Sequence, residues 1–534
     1  MRFLRGRPKN IELPKMYSQI QLIVPATGIG SRFKKQGIST SKPLIAPNGE
    51  SFLSHVFSMY PEVKDPLIIL NKDDKQINEI LLEINKLKPD SQIVKISQHK
   101  LGPSYTIWEA RNYINLQKKI IVNYIDFYAC WNWHDMYDQL SNNEGSILTY
   151  TGNHPHMLRN TKYAYVKLKA NTLISDIKEK ESFTTSPMFE NASAGVYGYK
   201  TGAILLDALK YQISNNLTVN GEFYNSLSFK YLLEEKMKVG NINAQHFFQW
   251  GTPEDLLDWQ NFFHLFYKIR NTNKKSSNKK IEGAAIILAA GEGSRLNNVT
   301  STPKPLTKIL GKDLWSFSFD AIHNLKHKYL AKNNLFKINE KLLDLGVINF
   351  EKATSGQADT AFQSISNLSD KLQGPITFLS CDNLVFQEDF EKAHTEKSDF
   401  DLLVWGKKHY LPAEVNQTGF SWVGVDKKNY VRSLYFKNHP KDSEISYVII
   451  GNFTFRNMST AKYYLKKCLD KRESTHKEVY LDHVIEEMLK DQLKVKVYDI
   501  SIFHSVGTKT EFDMIKYWED CRYFQQLTRR GMIS

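Results

Sequence analysis

Two short stretches of the chain combine a glycine-rich turn with one arginine and a later lysine. The stretch Ile23 to Leu44 reads IVPATGIGSRFKKQGISTSKPL, and the stretch Leu288 to Leu306 reads LAAGEGSRLNNVTSTPKPL. Glycines let the backbone adopt positive φ and approach a polyphosphate, so that successive N–H groups point at phosphate oxygens. The arginine and the lysine add fixed positive charge for the same phosphates. The residue types therefore indicate a triphosphate-binding loop in each stretch.

Aspartates at the ends of two apolar runs supply a second kind of chemistry. Asp126 and Asp382 each follow a run of strand length. A carboxylate in this position is a natural ligand of Mg²⁺, which takes oxygen ligands and usually only one or two protein carboxylates. Together with the loops, these are the parts for attack on the α-phosphate of a nucleoside triphosphate, without a covalent nucleophile.

Competing loop motifs fit less well. A dinucleotide-binding loop needs a third glycine, and Phe33 and Leu296 stand at that position in the two copies. Neither loop has the GxxxxGKS pattern of a P-loop. A dehydrogenase and a P-loop NTPase are therefore disfavoured.

The likeness between the stretches extends along the chain in a regular register. Arg32 and Arg295 are 263 residues apart, and Lys42 and Lys304 are 262 apart. Four later pairs share one offset of 256 residues. They are Asp126 with Asp382, Gly195 with Gly451, Glu222 with Glu478, and Gly251–Thr252 with Gly507–Thr508. A constant offset indicates an internal duplication.

A polar segment separates the two copies. Residues 271–280 read NTNKKSSNKK and have no apolar periodicity, as expected of an exposed linker. A chain of 534 residues also exceeds what one hydrophobic core usually supports. We therefore expect a first domain over residues 1–270, a linker over 271–280 and a second domain over 281–534.

The elements that position the loops follow an alternating pattern. Strand-like runs alternate with helix-like stretches in both copies. The strand-like runs are IQLIVPA, DPLIILN, KIIVNYIDFY, GAAIILAA and GPITFLSCDN, and the helix-like stretches include SFLSHVFSMY, YTIWEARNYINL, LWSFSFDAIHNL and DTAFQSISNL. The alternation predicts an α/β fold whose mainly parallel sheet is flanked by helices. Ligands of such sheets bind at the carboxyl ends of strands, where both loops and both aspartates lie.

Both halves resemble the sugar-phosphate nucleotidylyltransferases, also called nucleoside-diphosphate-sugar pyrophosphorylases, whose signature is a GxGxR loop followed by a PKP or KP segment. The resemblance implies two tandem Rossmann-like, GT-A-like nucleotidyltransferase domains, each a mainly parallel mixed sheet. It implies a Mg²⁺-dependent enzyme that joins a nucleoside triphosphate to a sugar 1-phosphate, or a similar phosphorylated acceptor, and releases pyrophosphate. It also implies a role in making precursors of a bacterial surface polysaccharide.

The resemblance assigns roles to particular residues. The catalytic residues implied are Arg32, Lys42, Arg295 and Lys304. The nucleotide-binding residues implied are Gly28, Gly30, Ser31, Gly102, Gly291, Gly293, Ser294 and Gly356. The acceptor-binding residues implied are Lys180, Gly195, Glu222, Lys437, Gly451 and Glu478. The metal ligands implied are Asp126, Gln249 and Asp382.

One departure from the family pattern affects both halves. The family commonly has a second metal-binding aspartate two residues before the late Gly-Thr pair, where this chain has Gln249 and Ser505. An amide oxygen can still bind Mg²⁺, whereas a serine hydroxyl is a poorer ligand. Which half is active therefore stays open, and two alternatives remain. One is a regulatory or scaffold protein of degenerate copies, and the other is a GT-A-like glycosyltransferase that uses an activated sugar.

Composition narrows the classes of partner and compartment. The net charge of +14 fits small anionic substrates, and the lysines are too dispersed among acidic residues to form a nucleic-acid-binding stripe. Four scattered cysteines and the absence of a long apolar run favour the cytoplasm and exclude a membrane span. The sequence leaves the base, the acceptor and a homo-oligomeric state open.

Two further segments carry weaker indications. His154 and His156 have a ligand-like spacing, but without accompanying cysteines they favour a solvated loop. The aromatic run from Asp126 to Asp135, DFYACWNWHD, is typical of core or pocket wall, with Trp131 or Trp133 available to stack on a base or sugar. Because the second copy has the less bulky DNLVFQED at this point, we expect the two pockets to prefer different acceptors.

Overall fold

The structure is a computed structural model that describes residues 17–169, 172–271, 280–291, 302–334, 337–338, 344–368, 372–440, 444–472 and 478–530. Its contacts divide the chain into one unit that extends to Phe263 and another that extends from His264 to Arg529. The expected linker at 271–280 lies outside the described residues except for its two ends.

The first unit alternates strands and helices. Its described strands are β1 (Ile20–Ala26), β2 (Leu67–Asn71), β3 (Gln92–Ile96), β4 (Lys119–Asn123), β5 (Phe127–Cys130), β6 (Gly145–Tyr150), β7 (Ala164–Lys169), β8 (Leu173–Glu179), β9 (Asn191–Tyr199), β10 (Val239–Asn243) and β11 (His246–Gln249). Its described helices are α1 (Ser31–Lys35), α2 (Phe52–Met59), α3 (Ile77–Leu87), α4 (Pro103–Glu109), α5 (His134–Asn142), α6 (Gly202–Ser214), α7 (Asn225–Glu234) and α8 (Pro253–Asn271), the last of which crosses the division between the units.

The main sheet of the first unit brings the glycine loop and Asp126 to one edge. Its strand order is β3-β2-β1-β4-β9-β6-β10-β8-β7, and β5 pairs with β11 outside it. Strands β3, β2, β1 and β4 are parallel, whereas β9 is antiparallel to its neighbours β4 and β6. Ile23 of β1 lies beside Leu67 of β2 and Val122 of β4. Because β1 and β4 run side by side, the segments that follow them leave the sheet together.

The second unit has the same kind of element series. Its described strands are β12 (Ile281–Ala289), β13 (Lys308–Ile309), β14 (Lys312–Asp313), β15 (Leu325–Asn333), β16 (Gly346–Phe350), β17 (Ile376–Ser380), β18 (Asn383–Leu384), β19 (Leu402–Lys407), β20 (Trp422–Val425), β21 (Val431–Tyr435), β22 (Ser446–Phe455), β23 (Val495–Asp499) and β24 (His504–Ser505). Its described helices are α9 (Leu314–Ala321), α10 (Gln357–Ser366), α11 (Gln387–His394), α12 (Leu411–Val415), α13 (Met458–Arg472), α14 (Asp482–Lys490), α15 (Lys509–Asp520) and α16 (Arg522–Arg530).

The topology of the second unit repeats that of the first. The path β16-β15-β12-β17-β22-β19-β23 has the same sequence of parallel and antiparallel neighbours as β3-β2-β1-β4-β9-β6-β10. The β20–β21 hairpin takes the place of β7–β8, and the small β18–β24 pair takes the place of β5–β11. The duplication seen in the sequence is therefore also a duplication of fold.

Both faces of the second sheet are covered by helices. Alternate residues of β12 point to opposite faces, as the pleat of a strand requires. On one face Ile286 packs with α10, α13 and α14, and on the other Ile287 packs with α9 and α11. This double coverage confirms the predicted α/β architecture.

The predicted elements differ from the observed ones mainly at their ends. IQLIVPA coincides with β1. KIIVNYIDFY is two strands, β4 and β5, because the chain leaves the main sheet before Asp126. The helix predicted over LWSFSFDAIHNL ends at Ala321, and Leu325 already begins β15. Among the described residues, no helix is both long and apolar enough to cross a bilayer.

Candidate active sites

A lysine–aspartate ion pair marks the carboxyl edge of the first sheet. Lys42 begins a 3-10 turn over the KPL segment, and its Nζ donates to Asp126 Oδ2 at 2.6 Å. The two side chains are 18% and 23% exposed, so the pair is largely shielded but still reachable by a ligand. The sequence placed these residues 84 positions apart, and the fold brings them into direct contact.

The glycine loop of the first half lies against the same lysine. Gly30 has φ +62° and precedes α1, whose first turn carries Ser31 and Arg32 on an exposed face. A Cβ atom added to Gly30 would lie 3.8 Å from Lys42 Cβ, and one added to Gly28 would lie 3.9 Å from Lys42 Cδ. The glycine loop therefore packs against Lys42, and Ser31 and Arg32 are exposed in the helix that follows it.

The late Gly-Thr turn of the first half completes this site. Strand β11 pairs with β5 so that Gln249 lies opposite Phe127, next to Asp126. A Cβ atom on Gly251 would come within 2.7 Å of Gln249 Nε2 and 3.1 Å of Asp126 Oδ2. The turn at Gly251 therefore packs closely against the side chains of Gln249 and Asp126.

These side chains suit a magnesium ion. Asp126 Oδ1 has no hydrogen-bond partner among the described residues, and the Gln249 amide can turn its oxygen toward the same point. Hard oxygen donors of this kind, with only one carboxylate, match the usual protein ligand set of Mg²⁺. No group of three or more His, Cys, Asp or Glu side chains that could hold a metal occurs in the part of the chain the structure describes.

The second half forms the same ion pair with tighter surroundings. Lys304 Nζ donates to Asp382 Oδ2, and Ser380 Oγ donates to Asp382 Oδ1. Burial opposes the charge of both partners, but the attraction and hydrogen bonds outweigh it. The pKa of Lys304 is accordingly raised and the pKa of Asp382 lowered, so that the pair stays ionised. Both Asp382 oxygens are engaged, unlike those of Asp126.

The late turn of the second half is held by two residues that the sequence did not single out. Glu511 accepts hydrogen bonds from the backbone N–H groups of Gly507 and Thr508 at 3.0 and 2.9 Å. Tyr410 Oη donates to Glu511 at 2.5 Å and accepts from Ser505 N at 3.1 Å. A Cβ atom on Gly507 would be 3.1 Å from Asp382 Oδ2. This network positions the turn and Ser505 beside the ion pair.

The glycines expected to contact the base begin helices at matching places. Gly102 has φ +88° and precedes α4, and Gly356 has φ +152° and precedes α10. A Cβ atom at Gly102 would lie 2.7 Å from the carbonyl oxygen of Phe223, and one at Gly356 would lie 2.8 Å from that of Val479. Each glycine is therefore required by close backbone packing against the segment that follows Glu222 or Glu478.

A lysine, a tyrosine and a glutamate form a chain of hydrogen bonds in the first half. Lys180 Nζ donates to Tyr224 Oη at 2.5 Å and lies 4.3 Å from the centre of that ring. Tyr224 Oη donates to Glu222 Oε2 at 2.5 Å. Lys180 adopts φ +59°, an unusual conformation for a residue with a side chain.

The second half builds the same chain of hydrogen bonds. Lys437 Nζ donates to Tyr480 Oη at 3.1 Å and lies 4.4 Å from its ring centre, and Tyr480 Oη donates to Glu478 Oε2. Lys437 also has positive φ, at +47°. Lys437 therefore has the same kind of surroundings as Lys180, and it also occupies the corresponding place in its half of the chain. Sequence reasoning found the lysines and glutamates but missed both tyrosines.

The remaining predicted loop residues and glycines lie in different surroundings. Gly195 of β9 has φ +83°, and a Cβ atom there would be 3.0 Å from the Phe127 ring. Gly451 of β22 has φ +79° and lies near Ser380 and Gln357. Gly291 is exposed after β12. Gly293, Ser294 and Arg295 lie outside the described residues.

The prediction of a solvated histidine loop is wrong. His154 and His156 are only 4% and 8% exposed. His156 contacts the hydroxyl of Tyr150 at 3.0 Å, and both rings pack around Tyr150. Burial lowers the pKa of His154 to about 4 and holds the pKa of His156 well below its ordinary value. Tertiary packing of the turn after β6 overrides the polar composition of the segment.

The aromatic run after Asp126 is mostly core. Phe127, Tyr128 and Trp133 are buried, and Trp133 Nε1 donates to Glu62 at 3.0 Å. Trp131 packs edge-on against Tyr60. Phe127, Tyr128 and Trp133 therefore belong to the interior, whereas Asn132 and Asp135 of the same run are exposed.

The comparison with protein families agrees with the fold and with its duplication. The nucleotidyl transferase family model matches the chain twice, over residues 22–264 and 284–529. The chain therefore belongs to this family and contains two tandem copies of its domain. No curated protein matches the chain.

Solved structures similar to this chain each span about one copy. A nucleoside-diphosphate-sugar pyrophosphorylase from Vibrio cholerae RC9 is 16% identical and covers 45% of this chain and 98% of its own, with a TM-score of 0.39. The inositol-1-phosphate CTP transferase from T. maritima is 19% identical and covers 48% of this chain and 100% of its own, with a TM-score of 0.36. A putative glucose-1-phosphate thymidylyltransferase from Bacillus anthracis is 16% identical and covers 45% and 93%, with a TM-score of 0.36.

Proposed function

We propose that the chain joins a nucleoside triphosphate to a sugar 1-phosphate, or a similar phosphorylated acceptor, and releases pyrophosphate. The observation that carries this proposal is the ion pair between lysine and aspartate at the carboxyl edge of a parallel sheet, formed in both halves of a nucleotidyl transferase. In the first half this pair lies beside the glycine loop, which on this proposal binds the triphosphate.

On this proposal, different residues in each half bind the nucleoside triphosphate and the acceptor. Arg32 and Lys42, with Arg295 and Lys304 in the second half, hold the triphosphate and stabilise the charge that develops on its α-phosphate. The backbone of the loops and of Gly102 and Gly356 approaches the nucleotide. Lys180 and Lys437 bind the acceptor phosphate and orient its oxygen for attack. Glu222 and Glu478 hold the tyrosines that position these lysines.

Asp126 and Gln249 in the first half, and Asp382 in the second, would hold Mg²⁺. The ion supplies charge neutralisation at the phosphates when bound. The chain's own contribution is to keep each aspartate ionised and fixed beside its lysine. Such a reaction would supply activated sugars in the cytoplasm for a bacterial surface polysaccharide.

The proposal is tested by pyrophosphate release from the full-length chain with four nucleoside triphosphates and a panel of phosphorylated acceptors. We expect release that requires a triphosphate, an acceptor and Mg²⁺ together. Asp126→Ala and Asp382→Ala, singly and combined, assign the activity to its half. Binding of a triphosphate without release would instead support a regulatory protein, and transfer from a preformed nucleotide sugar would support a glycosyltransferase.

A further inference from the structure

Three asparagine side chains surround a buried threonine hydroxyl in the first unit. Thr149 of β6 is fully buried, and its Oγ1 lies 2.8 Å from Asn241 Oδ1 and 2.9 Å from Asn243 Oδ1, both on β10. Asn191 Oδ1, at the start of β9, and the carbonyl oxygen of Ile242 are each 3.4 Å from the same hydroxyl. We call Thr149 and the three asparagines the asparagine cluster. Three neighbouring strands thus bring five uncharged oxygen atoms together.

Few hydrogen atoms are available among these oxygens. The Thr149 hydroxyl has a single proton, so it can donate to only one of its four oxygen neighbours. Asn241 Nδ2 donates to Asn243 Oδ1 at 3.1 Å, which supplies one more hydrogen atom. Partial negative charges at such short distances repel one another unless a positive charge lies among them. The arrangement therefore suits a bound cation.

The second unit fills the same place with apolar side chains. The strand registers give the counterparts Gly406 for Thr149, Tyr447 for Asn191, Val497 for Asn241 and Asp499 for Asn243. A Cβ atom on Gly406 would lie 2.9 Å from Tyr447 Cβ and 3.1 Å from Val497 Cγ1, so these positions converge in this unit as well. Tyr447 and Val497 belong to its hydrophobic core. The fold itself therefore does not require polar residues at this place.

The chemistry of the oxygens indicates which kind of cation they suit. Polar groups taken out of water cost free energy unless partners satisfy them, and the second unit shows that an apolar alternative exists. Protein sites for Mg²⁺ and Ca²⁺ are usually built on carboxylates. Among the described residues, no carboxylate lies within hydrogen-bonding distance of the asparagine cluster. Uncharged carbonyl-type oxygens are instead the ligands that proteins offer to Na⁺ and K⁺.

We propose that the asparagine cluster binds one monovalent alkali cation, Na⁺ or K⁺, in the first unit. Its ligands are the three amide oxygens, Thr149 Oγ1 and the Ile242 carbonyl oxygen. The ion removes the repulsion between these oxygens and ties the end of β6 to β9 and β10. Asn191 and Asn241 are half-buried and Asn243 is exposed, so the ion enters directly from solvent. The proposal does not depend on the proposed function.

The test measures hydrogen–deuterium exchange of the full-length chain by mass spectrometry. Tetramethylammonium chloride is replaced by KCl or by NaCl at constant ionic strength. We expect slower exchange in the peptides that contain β6, β9 and β10, and no change in the matching peptides of β19, β22 and β23. For a dissociation constant of about 10 mM, the slowing at about 150 mM salt is about 16-fold for amides that exchange only after the ion leaves. The salt that acts at the lower concentration identifies the preferred ion.

Variants assign the response to the asparagine cluster. Thr149→Val removes the central oxygen, and Asn243→Ala removes an exposed ligand with little risk to folding. Each should reduce the slowing to less than about 2-fold. Asn215→Ala is the matched control, because Asn215 is an exposed asparagine of the same unit whose side chain donates to Tyr211 O instead. It should keep the full response.

A further variant tests the choice of ion. Asn243→Asp copies Asp499 of the second unit and adds a carboxylate to the oxygens. This change should extend the slowing to CaCl₂, which should have no such effect on the parent chain. Circular dichroism checks that each variant is folded, and Asn243→Ala decides the test if Thr149→Val does not fold.

Several results would overturn the inference. They are no response to either monovalent ion, equal slowing in the matching peptides of both units, slowing of the parent chain by divalent ions alone, and a full response in folded Asn243→Ala. Each of these results leaves the proposed function standing, because pyrophosphate release tests that function separately.

Discussion

The ion pair between Lys304 and Asp382 offers a direct test of how the second site is held. The side chains are 16% and 14% exposed, and Asp382 also accepts from Ser380. Removal of one partner from a buried pair typically costs about 3–5 kcal/mol, and from an exposed pair about 1 kcal/mol or less. At this intermediate burial we expect Lys304→Met and Asp382→Asn each to cost about 2–3 kcal/mol.

The double variant distinguishes a true pair from two independent contributions. Because each single variant leaves a shielded group without its partner, Lys304→Met combined with Asp382→Asn should cost about as much as either one alone. The coupling energy is then about 2 kcal/mol. It is measured as the change in free energy of unfolding of the second unit in urea at pH 7.5, followed by tryptophan fluorescence.

A surface pair in the same unit serves as the control. Lys466 and Asp470 are 62% and 55% exposed and lie one helical turn apart. Their double-mutant cycle should give a coupling of about 0.3–0.5 kcal/mol. The reasoning would be refuted if the losses of unfolding free energy at Lys304 and Asp382 were additive, with a coupling energy no larger than that of the control pair. The two residues would then not depend on each other as a shielded ion pair does.

Three further predictions concern a turn, a buried histidine and an arginine. Gly102→Ala should destabilise the first unit by about 2–5 kcal/mol, because its Cβ atom would lie 2.7 Å from a backbone oxygen. The control Gly152→Ala, at φ +90° in open space, should cost about 1 kcal/mol. Equal shifts of the thermal unfolding temperature in the two variants would contradict this prediction. Burial lowers the pKa of His394 from 6.5 to about 4. The contribution of neutral His394 to the free energy of unfolding is therefore fully present above pH 6.5, and this free energy should fall by about 3 kcal/mol as the pH drops toward 4. His394→Gln should remove this part of the loss of stability, measured as the free energy of unfolding in urea at a series of pH values. An unchanged dependence of that free energy on pH would contradict the prediction. Arg295→Ala in the Asp126→Ala background should lower pyrophosphate release by about 10²–10³-fold, with partial rescue by Arg295→Lys, and unchanged turnover would remove Arg295 from the reaction.

The sequence predicted the parts of the site that depend on local chemistry and on repetition. The glycine loop, Lys42 and Asp126 were found because each has a counterpart at a nearly constant offset. The fold class also placed the loop and Asp126 at one edge, since the carboxyl ends of neighbouring parallel strands meet there. The ion pair between Lys42 and Asp126 was not predicted. The repeated register was therefore the strongest guide to the fold.

The parts that escaped prediction depend on packing between distant segments. Tyr224 and Tyr480 approach their lysines only when a helix and a strand separated by some forty residues come together. Glu511 was missed because its role arises from a helix cap that faces Tyr410 across the unit. His154 was misjudged because spacing and polarity carry no information about the aromatic residues that cover it.

The backbone of Lys180 and Lys437 has a consequence for how the chain can evolve. A residue with a side chain at positive φ is less stable there than glycine by about 1–2 kcal/mol, and both copies keep a lysine in that conformation. Glycine would relieve this strain at either position but would remove the ammonium group. Selection for thermal tolerance alone would therefore replace these two lysines early, so that heat resistance would compete at the same two peptide units with the acceptor binding that we propose for them.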